Sequence, residues 1–309
     1  MSSRRAVPAI ALTVVGLSAG LLSSGCASDG ESDSSGTSSS AYATSSSAPV
    51  STTRRPAPGP SRAKALAALG AGALGLNKSL EPLGLNQKVV VAIAPVGRVD
   101  EPIVIGDNKP AQVAWSTIKV PLAIAAERKH RGPMPQTVAA IVASDNEAAQ
   151  ALWASLGDGQ QASAAVTAVL REAGDRRTVV PATPKRPPYT VFGQTTWSAE
   201  NAARFTAGMA CLPDSARVRQ LMGKVDAEQR WGAATLGARA GVKGGWGPGT
   251  GGGYVVRQLA LITHRDGSQT AAAIVTFGSG TSMASGTSAL NHVGAWLAKQ
   301  EKNLPRGYC

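Results

Sequence analysis

The chain is short of acid. Its 309 residues hold 19 Asp and Glu against 31 Lys and Arg, for a formal net charge of +12. Histidine is scarcer still. His130, His264 and His292 lie far apart, without the spacings by which imidazoles share a metal, so no metal site and no cofactor is expected. No glycine-rich loop ends in Gly-Lys-Ser or Gly-Lys-Thr; the run Gly244 to Gly253 lacks that ending and follows the wrong element for a phosphate cradle. The basic charge comes with no nucleic-acid-binding motif, which argues against a nucleic-acid partner. Also missing is a comfortable membrane span, because the apolar run from Ala6 to Leu22 is short and rich in small residues.

What that run does fit is a secretory leader, headed by Arg4 and Arg5. It closes on Leu22-Ser23-Ser24-Gly25-Cys26, which resembles the lipobox of bacterial lipoproteins, so residues 1–26 are read as leader and Cys26 as the lipidated mature N-terminus. A leader cut without lipidation is the alternative. Residues 27–61 are Ser, Thr, Ala, Gly and Pro with almost no large apolar side chain and cannot bury enough surface to fold, so they form a tether. Leader and tether hold four Arg against three acids, which leaves nearly all the positive charge on residues 62–309. Outside a cell such a surface attracts anionic wall polymers and lipid headgroups. The expected location is extracytoplasmic, attached to the cell membrane as a lipoprotein, or secreted if Cys26 is not lipidated. With Cys26 set aside, Cys211 and Cys309 are left. In an oxidising compartment they form a disulfide or remain two free thiols.

Three short motifs follow one another in the remainder. Ser116-Thr117-Ile118-Lys119 sets a serine three residues before a lysine at a helix start, which puts both side chains on one face. A serine hydroxyl is a weak nucleophile at neutral pH, and an amine with a pKa lowered by burial can take its proton. Ser144-Asp145-Asn146 opens an apolar helical run, although Ser144 and Glu147 also make a plain capping box. Lys243-Gly244-Gly245 ends a short apolar segment before a glycine-rich turn.

In composition and order these motifs resemble those of serine β-lactamases and penicillin-binding proteins. The resemblance implies Ser116 as the acylated nucleophile, Lys119 as its proton acceptor, Ser144 as a relay to the leaving group, Asn146 as a holder of Lys119 and of substrate, and Lys243 as the support of Ser144. It also implies an oxyanion site from the backbone N–H groups of Ser116 and Trp246, with Gly244 and Gly245 beside the substrate. Three departures stand out. Gly244 replaces a Thr or Ser hydroxyl that would hold a substrate carboxylate. Ser116 and Ser144 are only 28 residues apart, which implies a trimmed helical lobe. Between Arg171 and Gln194 the only acids are Glu172 and Asp175, neither in the Glu-x-x-Leu-Asn context that activates a deacylating water in class A enzymes. Pro181 to Pro188, with Lys185 and Arg186, reads instead as a basic loop at the cleft edge.

Periodicity predicts helices at Ser61 to Leu74, Ser116 to His130, Ser144 to Leu156, Ala162 to Ala173, Ser198 to Cys211, Ser215 to Val225 and Thr287 to Lys302. It predicts strands at Lys88 to Pro95, Pro102 to Ile105, Ala240 to Gly244, Tyr254 to Thr263 and Thr270 to Phe277. Strands near both ends with helices between them imply a sheet built from distant segments beside a helical lobe. The fold class is therefore α+β, and the resemblance implies an antiparallel sheet flanked by terminal helices. The expected function is an envelope-anchored, monomeric serine hydrolase or acyltransferase acting on cell-wall peptides or related carboxylate or acyl compounds, and an inefficient β-lactamase. The competing expectation is an inactive domain of the same fold that binds wall material or a partner protein.

Overall fold

The computed structural model of the chain describes residues 75–83, 85, 87–99, 102–106 and 111–309. The leader, Cys26, the tether and the helix expected at Ser61 to Leu74 lie outside the described residues. In chain order the elements are α1 (75–80), β1 (Lys88–Pro95), β2 (Ile103–Gly106), β3 (Gln112–Val113), α2 (Lys119–Lys129), α3 (Pro135–Val138), α4 (Asn146–Ser155) and α5 (Gly159–Glu172). These are followed by β4 (Thr196–Trp197), α6 (Ala199–Met209), α7 (Ala216–Met222), β5 (Ala240–Pro248), β6 (Tyr254–Thr263), β7 (Gln269–Gly278) and α8 (Met283–Lys299).

Five antiparallel strands in the order β2-β1-β7-β6-β5 form the central sheet, and β3 pairs with β4 in a small ribbon. The sheet joins distant segments, since Lys88 to Pro95 pairs along its whole length with Phe277 to Thr270. β1 is apolar without alternation because both its faces are covered. Val90, Ala92 and Ala94 enter one core with Ile124 of α2, Leu152 of α4 and Phe205 of α6, whereas Val89, Val91 and Ile93 enter another with Leu76, Leu290 and Val293. This is the expected α+β architecture, with a helical lobe on one side of the sheet and α8 on the other.

Several elements differ from expectation: α2 begins at Lys119 and not at Ser116, α8 begins at Met283 and not at Thr287, and the sequence predicts none of β3, β4 or α3. β5 runs on to Pro248, through the glycines that read as a turn, because β6 supplies a partner for every residue up to Tyr254. α4 is capped by Asp145, whose carboxylate accepts the Ala148 N–H at 2.6 Å, and not by a Ser144–Glu147 box. Ser144 stands in the left-handed region, φ 59° and ψ 30°, one step too early to cap. Cys211 and Cys309 are disulfide-bonded with their Cα atoms 5.2 Å apart. The bond fastens the chain end beside α6, where Gly307 also exchanges two backbone hydrogen bonds with Gln269.

Candidate active site

Ser116 stands in a 3-10 turn, Trp115–Ile118, that connects β3 to α2. Pairing of β3 with β4 and the Ala114 N–H to Thr195 O bond, 2.7 Å, anchor the turn from below. Thr117 closes it, because its N–H and its hydroxyl both donate to Ala114 O. Trp115 has φ 47°, which is uncommon for a bulky residue and needs the surroundings to impose it. Its indole meets the Tyr189 ring edge-on at 4.9 Å and lies where a Cβ on Gly247 would stand, 2.5 Å from Trp115 Cε2. With Ser144, Trp115 is one of three non-glycine residues at positive φ among the described residues, and both border this site.

Lys119 is 1% exposed. Its Nζ donates to Ser144 O (2.5 Å), Asn146 Oδ1 (2.7 Å) and Asp145 O (3.1 Å), which occupies all three ammonium hydrogens. Burial lowers its pKa to about 8, opposed by the negative charge of Asp145. Lys243 is fully buried on the face of β5 opposite Val242 and reaches Ser144 Oγ (2.7 Å), Gln229 Oε1 (3.2 Å) and Gly244 O (3.0 Å). No carboxylate pairs with it among the described residues. Burial first, and the Lys119 charge second, hold its pKa well below the ordinary lysine value. A neutral Lys243 amine has two hydrogens and a lone pair, so the contact with Ser144 can run in either direction.

The wide π-helical turn Ala139–Ala143 ahead of Ser144, closed by Asp145 N–H to Ala139 O at 3.0 Å, presents the Ser144 hydroxyl to Lys243 and the Ser144 carbonyl to Lys119. Gln229 belongs to none of the three motifs. It joins Lys243 to the same turn by donating to Val142 O at 3.0 Å, and a single glutamine in a polar stretch offers no periodicity or motif to find it by.

The structure thus brings Lys119, Ser144, Asn146 and Lys243 into one hydrogen-bonded group beside Ser116. The half-buried Ser116 hydroxyl takes part in no hydrogen bond among the described residues. Gly245 faces Ser116: a Cβ there would lie 2.9 Å from Ser116 N, Thr117 N and Ala114 O, so only glycine lets β5 approach so closely. Gly244 faces the other way, and a Cβ there would lie 2.6 Å from Trp231 Cζ2, so the indole fills the direction a Thr or Ser side chain would take. Trp246, half-buried on the same strand face, packs edge-on against Trp231 with ring centroids 6.2 Å apart.

Glu172 and Asp175 are employed elsewhere. Glu172 pairs with Arg128 at 2.7 Å, and buried Asp175 accepts the N–H groups of Arg177 and Thr178 and Nε1 of Trp197. The loop after them brings Tyr189 and Arg186 to the site's rim and no acid. Among the described residues no three His, Cys, Asp or Glu side chains gather as a metal site, and no helix is long and apolar enough to cross a membrane.

No protein-family model matches the chain, and no curated protein matches it in sequence. Solved structures do match. The chromosome-encoded β-lactamase of Vibrio parahaemolyticus superposes with TM-score 0.56 at 14% identity, covering 74% of this chain and 99% of that one. An ancestral class A β-lactamase, that of the last common ancestor of Gram-negative bacteria, gives TM-score 0.52 at 22% identity over 74% of this chain and 99% of its own. A central antiparallel sheet, a helical lobe and nearly full coverage of these neighbours agree on one conclusion: the chain has a serine β-lactamase-like fold.

Proposed function

We propose that the domain is a serine acylating enzyme, a hydrolase or acyltransferase held at the cell envelope by Cys26 and the tether, and that it acts as a monomer on cell-wall peptides or related acyl compounds. The observation that carries this reading is that two buried lysines with lowered pKa, Lys119 of α2 and Lys243 of β5, both bond to Ser144, with Asn146 on Lys119, close to the turn that holds Ser116. Two amines whose burial favours the neutral form, close to an unencumbered hydroxyl, suit proton transfer better than structural support.

In the first step a neutral Lys119 takes the Ser116 proton while Oγ bonds to the substrate carbonyl carbon. The Ser116 and Trp246 N–H groups receive the oxyanion. Ser144, backed by Lys243, passes a proton to the departing amine or alkoxide as its bond to carbon breaks, which leaves an ester on Ser116. The loop over residues 176–194 offers no carboxylate to activate water, so the ester is long-lived or passes to an incoming amine, and β-lactam turnover is slow.

One observation favours a second reading. With all three Lys119 hydrogens engaged and none directed at Ser116, the resting site also suits a module that only binds wall material or a partner protein. Intact mass of the full chain after exposure to a reporter penicillin and to a fluorophosphonate decides between the two. An adduct absent from Ser116→Ala supports the enzyme, and no adduct with either probe favours the binder.

A further inference from the structure

The rim of the cleft carries a cation that the acylation chemistry does not use. Between Asp175 and Glu200 the sequence has no acid and four bases, Arg176, Arg177, Lys185 and Arg186. Of these, Arg186 is fixed over the end of β5. Its Nη1 donates to Pro248 O at 3.3 Å and its Nη2 to Gly249 O at 3.4 Å, and its guanidinium lies 5.2 Å from the centre of the Tyr189 ring. That ring packs on Trp115, the residue next to the nucleophile. The Arg186 backbone is held as well. Gln194, 4% exposed, accepts the N–H groups of Lys185 (2.9 Å) and Arg186 (2.6 Å) and donates to Tyr189 O (2.8 Å) and Thr190 O (3.2 Å), which staples the loop into one shape.

Arg186 is half-buried and forms no ion pair among the described residues. The two carbonyl bonds are long and use one hydrogen on each terminal nitrogen, so three N–H groups remain for a ligand. An arginine held against an aromatic face and backbone carbonyls, with no acid beside it, is set to take a planar anion in two-pronged fashion. Its place follows from the strand. Gly245 abuts the Ser116 amide and Pro248 is three residues further on, so at about 3.3 Å per residue the guanidinium lies about 10 Å along β5 from the reacting carbonyl. β5 is the edge of the sheet, so an extended substrate can lie along it.

We propose that Arg186 is the specificity-determining residue of this cleft and receives a carboxylate carried by the acyl part of the substrate, about 10 Å from the carbonyl that Ser116 attacks. The inference rests on acylation at Ser116 and adds the substrate class: an acyl donor with an acidic group upstream of the scissile bond. Ser144, the proton relay to the leaving group, is bound to Lys243 on the other side of the Ser116 contact, so the acyl part is the end of the substrate that runs towards Arg186.

The test compares p-nitrophenyl esters of N-glutarylglycine and N-pentanoylglycine, which differ by one carboxylate at the required reach. With the full chain, the glutaryl ester should acylate about tenfold faster than the pentanoyl ester, the worth of one charge-assisted pair. Arg186→Gln should bring that ratio close to one, and Arg186→Lys should keep part of it, with unchanged melting temperatures verifying the fold. A wild-type ratio near one, or a ratio that survives in Arg186→Gln while both esters load Ser116, overturns the inference and leaves the acylation reading intact. Failure of both esters to load Ser116 sinks the acylation reading instead. The subsite is then judged on binding of the unreactive glycinamides, followed by tryptophan fluorescence, and equal affinities for the glutaryl and pentanoyl compounds overturn it.

Discussion

Acylation of Ser116 should switch on with a midpoint near pH 8. Lys119 can accept the serine proton only as the neutral amine, and burial places its pKa at about 8. The neutral fraction is then about one-tenth at pH 7, about half at pH 8 and about nine-tenths at pH 9, so the rate should climb about tenfold from pH 7 to 9 and level off. An ordinary lysine at 10.5 would have roughly 300-fold less neutral amine at pH 7, which is the advantage burial confers. Asp145 works against it, because its charge favours the ammonium. Asp145→Asn keeps an oxygen to cap α4 through the Ala148 N–H and removes the charge. The midpoint should therefore move below pH 8, and the rate at pH 7 should rise. Stopped-flow release of nitrophenolate from an activated ester between pH 6 and 9.5, with Ser116→Ala as the blank, measures both curves. A flat profile, or a midpoint that stays put or rises in Asp145→Asn, refutes Lys119 as the base.

The same lowered pKa links stability to pH: between about pH 8 and 10 the unfolded chain holds a proton on Lys119 that the folded chain has released. Stability should therefore rise by about 2–3 kcal/mol across that window, read as an increasing urea midpoint, and a falling one would contradict the assignment. Gly245→Ala sets a methyl group 2.9 Å from three backbone atoms around Ser116, so β5 must retreat. A loss of about a hundredfold in acylation with a folded domain by circular dichroism is expected, and full activity would refute the close approach. Gly244→Thr, which supplies the hydroxyl found in the motif this segment resembles, drives Trp231 from its place and should cost about 1–3 kcal/mol without improving acylation; a stable and faster variant would refute this. Reduction of Cys211–Cys309 frees a loop of 98 residues and should cost up to about 4–5 kcal/mol, visible as a lower melting temperature under dithiothreitol.

Much of the fold was legible because burial leaves a local trace. The runs at Lys88 to Pro95 and Tyr254 to Thr263 are strands at the bounds the sequence suggested, being apolar on both faces and bounded by turn residues. β5 was harder, since Gly244, Gly245 and Gly247 weaken any local preference for a strand. Their reason is steric and lies elsewhere, in the Trp231 ring, the Ser116 turn and the Trp115 ring, which occupy the places of their absent side chains. The start of α4 misled for a similar reason. Ser144 and Asp145 are both good caps, and only the closing of the Ala139–Ala143 turn decides that Asp145 caps and Ser144 is left facing Lys243.

By itself the sequence determined that the chain is basic and lacks metal-ligand spacings, that it sets strands near both ends with helices between them in an α+β order, and that it carries a serine and two lysines in three motifs of a known kind. These properties are written in composition and in the periods of strand and helix, which act over a few residues. Only the tertiary structure decided that Lys243 meets Ser144 across 99 residues of chain, that Lys119 spends its hydrogens on the Ser144 turn, and that Arg186 reaches the end of β5. Such contacts leave no mark in the local sequence. Each depends on loop closure and on desolvation of charge, which are settled only when the sheet and the helical lobe pack together.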